Sequence, residues 1–408
     1  MTLYEELKWR GLIKDVTSPE LENKLNNEKL TFYIGTDPTA DSMHIGHYSS
    51  FLIAKRLAKA GHKPLLLIGG ATGRIGDPRP TTEREMKSIE EIEKNTKNLK
   101  KQAEEIFGFE VVDNYDWIKN INIIEFLRDY GKYFNINYML DKDIIRRRLE
   151  TGITFTEFSY MLLQSLDFLH LHETRGVNLQ VAGSDQWGNI TSGVDLIRKK
   201  LGDEVYAFTM PLILDQNGKK FGKSEGNALW LDKNKTSSYE LYQYLINTDD
   251  SMIESYLKVF TFLSPEEIMD IVSKHNNEPH LRLGQKTLAR EIITDLHGKE
   301  EYEKAVQISE NLFSGNIKEI NVNDLMIGLK DVPHFILKDE SLLDLLVNNN
   351  ICSSKREARE FLVNNAISVN GEIVNDENMF IDKTKTIEGK IVVIRRGKKK
   401  YYVGLVEE

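Results

Sequence analysis

The feature that most limits the fold is an alternation, met twice, of a buried-strand pattern with a helical one. "LTFYIG" (Leu30 to Gly35) is apolar and aromatic, so it reads as a strand. "IGHYSSFLIAKRLAKAG" then carries apolar residues at helical spacing and closes on Gly61, a suitable C-terminal cap. "KPLLLIGG" is a continuous apolar run bounded by Pro64 and Gly69, the pattern of a strand covered on both faces. Downstream, "NLQVAG" reads as a strand and "SDQWGNITSGVDLIRKKLG" as a helix. Two such units predict an α/β fold with a doubly wound parallel sheet.

The character changes after about Thr236. "SSYELYQYLINTDD" and "SPEEIMDIVSKH" read as helices, the second with Ser264 as cap, Pro265 in the first turn and Glu266 and Glu267 at the positive helix end. Strand signals stay sparse until about Lys338. In the tail, "LLDLLVNNNICSSKREAREFLVNNA" predicts two short helices, and "ISVNGEIV" a hairpin turning at Asn370-Gly371. The expected organisation is an α/β domain over 1–232, an α-helical domain over 233–330, a linker over 331–340 and a small α+β domain over 341–408.

A chain of 408 residues can hold two or three domains, and a single cysteine, Cys352, excludes an internal disulfide framework and suits a reducing compartment. The start of the sequence does not read as a signal peptide, and no run approaches membrane-spanning length without charges, so a cytoplasmic protein with no membrane partner is expected. The net charge of −9 argues weakly against a protein coated in nucleic acid. The stretch from Ser341 to Glu408, however, balances 11 basic against 10 acidic residues and contains "IRRGKKKYYVG". That cluster is either a local nucleic-acid footprint or a solvated charge run.

"DPTADSMHIGHYSS" (Asp37 to Ser50) sits where the first strand hands over to its helix, and ligands of open α/β sheets bind at such places. His44 and His47 are three apart and share one side of the first turn. Free backbone N–H groups and the positive dipole end favour a phosphate there, and Gly46 leaves room for a flat ring at the backbone. Three readings compete: a metal site, which lacks further ligands at suitable spacing; histidines that merely start a helix; and a nucleotide-phosphate site outside the common glycine-loop patterns. A second stretch, "QNGKKFGKSEG", places Lys220 and Lys223 in a glycine-flanked loop.

Together "HIGH" and Lys220-Phe221-Gly222-Lys223-Ser224 resemble the paired signatures of class I aminoacyl-tRNA synthetases. "DPTADSMHIGH", "TGITFTEFSYMLLQSLDFL" and "GSDQWGNI" narrow the resemblance to bacterial tyrosyl-tRNA synthetases, over essentially the whole chain. The tail resembles an RNA-binding module also found in a ribosomal small-subunit protein. The resemblance implies a tyrosine–tRNA ligase that uses ATP as substrate with Mg²⁺, holds no tightly bound cofactor, and acts on L-tyrosine and its tRNA as a homodimer. It implies catalytic roles for His44, His47, Thr39, Lys220, Lys223 and Ser224. Tyr33 and Asp167 would meet the substrate hydroxyl, and Tyr160, Gln164 and Asp77 its ammonium, with Gln180 and Gln186 in the same pocket. ATP would contact Gly35, Asp37, His44, Gly46, His47, Gly183, Asp185 and Lys223.

In the tail, Lys355, Arg356, Arg359, Arg395, Arg396, Lys398, Lys399 and Lys400 are the candidate RNA contacts, and Tyr401 and Tyr402 candidates for base stacking. No metal-ligating set is expected. After "GDP" the chain departs from the family: the loop Arg79 to Arg84 is shortened, and Arg79 stands where a lysine is usual. The rival readings are a tryptophanyl enzyme of the same fold and a non-catalytic RNA-binding factor on a synthetase-like body.

Overall fold

A computed structural model describes residues 1–79, 85–224, 227–397 and 400–407, with backbone only at 223, 224 and 227. The chain divides into two compact units: Met1–Thr236 with Thr248–Glu291, and Ser237–Asn247 with Ile292–Glu408.

The first unit is built on five parallel strands: β1 (Thr31–Thr36), β2 (Lys63–Ile68), β3 (Glu110–Asp113), β4 (Leu179–Gly183) and β5 (Tyr206–Met210). Their order is β3-β2-β1-β4-β5, every neighbouring pair parallel. The order runs outward from β1 in both directions. Right-handed crossovers therefore put the connecting helices on opposite faces, which is the doubly wound arrangement the alternation predicts. Leu65, Leu66, Leu67 and Ile68 are all buried, as a covered central strand requires. Pro64 is tolerated because pairing with β3 begins only at Leu65.

Four helices of this unit matter for the site: α1 (Ile45–Lys59), α2 (Phe155–Arg175), α3 (Trp187–Leu201) and α4 (Ile253–Phe260). Helix α1 packs on β1 and β2, and α3 on β4 and β5. The reversal of strand order opens a crevice beyond the carboxyl ends of β1 and β4.

In the second unit, helices Ser238–Ile246, Lys299–Ser314 and Val322–Gly328 accompany a five-stranded sheet. Its strands are β6 (His334–Ile336), β7 (Ile367–Val369), β8 (Glu372–Ile373), β9 (Ile391–Arg396) and β10 (Lys400–Leu405), in the order β8-β7-β9-β10-β6. The hairpin turns at Asn370 (φ 48°) and Gly371 (φ 87°), as the Asn-Gly pair predicts. The two tail helices form at Leu342–Asn348 and Lys355–Val363. Two features exceed the sequence reading. Strand β6 lies inside the segment expected to be a linker and pairs in parallel with β10. The tail's Ile391, Val393 and Val403 share a core with Ile308, Leu312, Ile317, Leu325 and Leu329 from the preceding helices.

Candidate active site

The crevice holds a cavity of about 390 Å³. Residues from both sequence motifs and from the predicted amino-acid pocket line it: Tyr33, Gly35, Asp37, Thr39, His44, Gly46, His47, Asp77, Tyr160, Gln164, Asp167, Gln180, Gly183, Asp185, Gln186 and Lys220. Strand pairing sets Tyr33 of β1 beside Gln180 of β4, and helix α2 contributes Tyr160, Gln164 and Asp167 from one face.

At the deep end, Tyr33 and Asp167 are each only 2 % exposed. The Asp167 carboxylate accepts hydrogen bonds from Trp117 Nε1 (2.9 Å) and Asn114 Nδ2 (3.0 Å). Burial outweighs both donors and pushes its pKa up to about 8. Burial, and then the nearby Asp167, also raise the Tyr33 phenol well above its usual value. Among the described residues the Tyr33 hydroxyl, which is buried, has no hydrogen-bond partner. A buried polar group in that state costs free energy until a partner arrives.

A hydrogen-bonded chain runs outward from this end. Asn114 Nδ2 also donates to Thr72 Oγ1 (3.0 Å), Thr72 Oγ1 donates to Asp37 (2.7 Å), and the Tyr160 hydroxyl donates to the other Asp37 oxygen (2.8 Å). Asp77 is held separately, accepting from Gln186 Nε2 (2.7 Å) and Asn189 Nδ2 (3.1 Å). Sequence reasoning missed Thr72, Asn114, Trp117 and Asn189. Gln186 and Asn189 are three residues apart, and that spacing was the available signal for Asn189.

At the mouth, His44 is the N-cap of α1. Its Nδ1 accepts from the Gly46 backbone N–H (3.0 Å), and His47 Nδ1 accepts from the His44 N–H (3.1 Å). A ring nitrogen that accepts carries no proton, so both imidazoles are neutral with the proton on Nε2. Burial, and then His44, lower the His47 pKa to about 3, which keeps that ring neutral at any working pH. A side chain at position 46 would crowd the His44 ring, its Cβ falling 2.8 Å from Cε1.

The second motif is tied to the first through the backbone. Ile45 N–H donates to Leu229 O (2.9 Å) and Leu229 N–H to Gly222 O (3.0 Å). Gly222 has φ 81°, and a Cβ there would run into the Ile45 side chain, so only glycine fits. Lys220 lines the cavity; Lys223 and Ser224 form a two-residue strand paired with Asn227–Ala228, and their side chains lie outside the described atoms.

In the loop after Asp77, the Arg79 carbonyl accepts from Arg148 (2.9 Å), and Arg84 lies outside the described residues. Among the described residues no three His, Cys, Asp or Glu side chains converge to hold a metal ion.

The tail cations are less free than their sequence suggests. Lys355 pairs with Asp344 (2.6 Å) and Arg359 with Glu377 (2.5 Å). Arg396 donates to the Ile351 carbonyl and lies over the Phe361 ring at 5.3 Å. Arg356 and Lys400 are exposed, Arg395 is half-buried, and Lys398 and Lys399 lie outside the described residues. Tyr401 and Tyr402 are both partly buried: Tyr401 donates its hydroxyl to the Leu312 carbonyl (2.7 Å), and Tyr402 packs against the tail core.

The family model for class I tRNA synthetases (W and Y) matches residues 25–314, and the tyrosine–tRNA ligase SYY-like C-terminal domain matches 324–404. The chain is 50 % identical to the tyrosine–tRNA ligase of Macrococcus caseolyticus over 98 % of both chains. It is 47 % identical to that of Streptococcus mutans over 99 % of both. The chain belongs to the tyrosine–tRNA ligases. This ligase activates L-tyrosine with ATP and transfers the tyrosyl group to its tRNA. Among solved structures it resembles a C-terminally truncated Aspergillus nidulans mitochondrial tyrosyl-tRNA synthetase, with a TM-score of 0.67 and 34 % identity over 76 % of this chain and 94 % of that one. A tryptophanyl-tRNA synthetase from Encephalitozoon cuniculi, 16 % identical with a TM-score of 0.55 over 74 % of this chain and 87 % of that one, shares the fold alone. No described helix of the ligase is long and apolar enough to cross a membrane.

Proposed function

We propose that the crevice between β1 and β4 is where tyrosine is activated, and that tyrosine enters it phenol first. The observation that carries this reading is the buried, unpartnered Tyr33 hydroxyl beside Asp167. A substrate hydroxyl gives Tyr33 a partner and can both donate and accept there; a phenylalanine ring can do neither, and an indole N–H can only donate. Tyr160, Gln164 and Asp77 take the ammonium, and Gln180 and Gln186 complete the walls. One carboxylate oxygen of tyrosine then bonds the α-phosphorus of ATP, the bond from that phosphorus to the bridging oxygen breaks, and pyrophosphate leaves.

The protein needs no covalent intermediate for this; its contribution is position and charge stabilisation. The Nε2–H groups of His44 and His47 and the N-terminal amides of α1 donate to the phosphates, assisted by Thr39. Gly35, Asp37, Gly46, Gly183 and Asp185 accommodate the nucleoside. Lys220, Lys223 and Ser224 neutralise the departing pyrophosphate. Mg²⁺ comes with ATP, held by its phosphates. In the second step a ribose hydroxyl of the tRNA's terminal adenosine attacks the tyrosyl carbonyl carbon and AMP leaves.

The unit ending at Glu408 contributes tRNA binding, with Arg356 and Lys400 as its foremost described cations and Lys355, Arg359, Arg395 and Arg396 around them. The three-part division of 1–232, 233–330 and 341–408 is retained as a functional one. The ligase works as a homodimer in the cytoplasm. Exposed Ile123, Ile124, Leu127, Ile136, Tyr138, Leu149 and Phe155 all fall between 123 and 155, and a second copy of the same face is the occupant we assign to them. Amino-acid-dependent ATP–pyrophosphate exchange tests the pocket: tyrosine should support it, and phenylalanine and tryptophan should not. Exchange driven equally by tryptophan would refute the assignment of Tyr33 and Asp167.

A further inference from the structure

We propose that Tyr256, on helix α4, is a positioning residue for the second signature motif and acts on activation through Lys220. The proposal rests on the reading of Lys220 as a phosphate-binding cation. Phe221, the neighbour of Lys220, is buried although the lysine itself is exposed. Its ring meets Tyr256 edge-on, with centroids 4.6 Å apart at 64°, and lies 4.8 Å from Phe260. Tyr256 and Phe260 are one turn apart on α4 and both fully buried. The Tyr256 hydroxyl then reaches past the ring and donates to the Leu214 carbonyl at 2.8 Å. Leu214 is the antiparallel bridge partner of Lys220. The same ladder continues through Phe221 N–H to Ile213 O (2.9 Å) and Asp215 N–H to Lys219 O (2.7 Å). One side chain therefore grips both sides of the ladder from which Lys220 projects.

Helix α4 is in turn referenced to the histidine motif. Arg56 of α1 donates to the Val259 carbonyl (3.3 Å) and to the Thr261 carbonyl, at the C-terminal end of α4, and Arg10 donates to the Lys258 carbonyl (2.9 Å). These guanidiniums meet carbonyls that a helix end leaves unpaired. Tyr48 of α1 also stacks on Phe260 at 6.3 Å and 7°. Helix α4 thus sets the spacing between Lys220 and the helix that carries His44 and His47. Misplacing a charge-stabilising group costs rate in the step where the charge develops, and leaves substrate binding elsewhere in the pocket untouched.

Tyr256→Phe keeps the aromatic seat and removes the hydroxyl that bonds Leu214. It is expected to slow adenylate formation in single-turnover measurements about three- to tenfold, the scale of one hydrogen bond. The tyrosine dissociation constant from equilibrium dialysis should stay unchanged. Tyr256→Leu removes the seat as well and should lose more, with urea unfolding confirming that each variant is folded. In a Lys220→Ala background the Tyr256→Phe effect should vanish, because the residue it positions is gone. A Tyr256→Phe rate equal to wild type overturns the proposal. So does a parallel loss of tyrosine affinity, or Tyr256→Phe and Lys220→Ala losses that multiply independently. If Lys220→Ala alone leaves the rate unchanged, the role given to Lys220 fails and this inference falls with it, which separates the two failures.

Discussion

Tyr33→Phe should move two properties in opposite directions. Among the described residues the buried Tyr33 hydroxyl has no hydrogen-bond partner. Such a group carries a desolvation cost of about 1–3 kcal/mol, so deleting it should leave the free enzyme as stable as before or more stable by up to that amount. With tyrosine bound, the same hydroxyl meets the substrate phenol. Losing that bond should cost about 0.5–1.5 kcal/mol, or roughly two- to twelvefold in kcat/KM for tyrosine. Phenylalanine gains by the change, since it no longer leaves the hydroxyl unpaired. The ratio of kcat/KM for tyrosine over phenylalanine should narrow from both sides; this family is itself a standard illustration of that kind of discrimination. Pyrophosphate exchange with each amino acid gives the ratio, and urea unfolding without tyrosine gives the stability. A loss of stability in Tyr33→Phe would show that the hydroxyl already has a partner in the free enzyme. An unchanged ratio would remove Tyr33 from the recognition of the phenol. Either result refutes the reasoning.

Three further outcomes follow from the same geometry. The folded pKa of Asp167, about 8, lies above the value of about 4 expected of an unfolded aspartate. Its contribution to stability is therefore fully present below pH 4 and is lost as the pH rises through 8, so Asp167→Asn should flatten the decline of the urea midpoint between pH 5 and 8; parallel profiles for the two proteins would count against a buried, proton-holding Asp167. His44→Asn keeps an acceptor for the Gly46 N–H and so the helix cap, worth about 0.5–2 kcal/mol, but loses the Nε2–H donor. It should unfold like wild type and form adenylate slowly, whereas His44→Ala should lose both properties; an Asn variant as fast as wild type would exclude the Nε2–H. Replacing Arg356 and Lys400 together by Glu should weaken tRNA charging and lower its salt dependence by about two counter-ions while leaving pyrophosphate exchange alone, and equal losses in both assays would argue against an RNA-binding tail. Charge reversal is a cleaner test than truncation near Asp339, because removing Ile391, Val393 and Val403 would strip the core they share with Ile308 and Leu312.

Several elements of the fold were legible because their signals are local. The continuous apolar run of β2, the cap at Ser264 and the Asn370-Gly371 turn each act within a few residues, and each forms where the pattern puts it. The roles expected of Tyr33, Asp167 and the two motifs came from their resemblance to a known family; residue type and spacing alone left Asp167, inside helix α2, open as one polar position on an amphipathic face. Their supports were not legible. Asn114 and Trp117 serve Asp167 across about fifty residues of chain, and nothing in either local pattern points to a buried carboxylate. Strand β6 is three residues long, too short to show a period, and its pairing with β10 is fixed by a segment almost seventy residues away. The tail cations illustrate a third limit: composition counts charges, while Lys355 and Arg359 are already partnered by Asp344 and Glu377.

The distribution of charge in the crevice also orients the reaction. Asp37 and Asp77 line the crevice, as do His44, His47 and Lys220, the described cation on its lining, with the positive end of α1 beside them. A phosphate driven toward the carboxylates would meet like charge in a poorly solvated space, whereas at the helix end it meets donors and a lysine. An α-ammonium has the opposite preference. On the proposed reading this charge distribution sorts the two substrates, tyrosine's amine toward Asp77 and ATP's phosphates toward Lys220 and the start of α1, with the tyrosine carboxylate facing the α-phosphorus. The neutral histidines fit this arrangement. An imidazolium near pH 7 would attract the carboxylate as well as the phosphates, while His47, held neutral by burial, offers a donor without a competing charge.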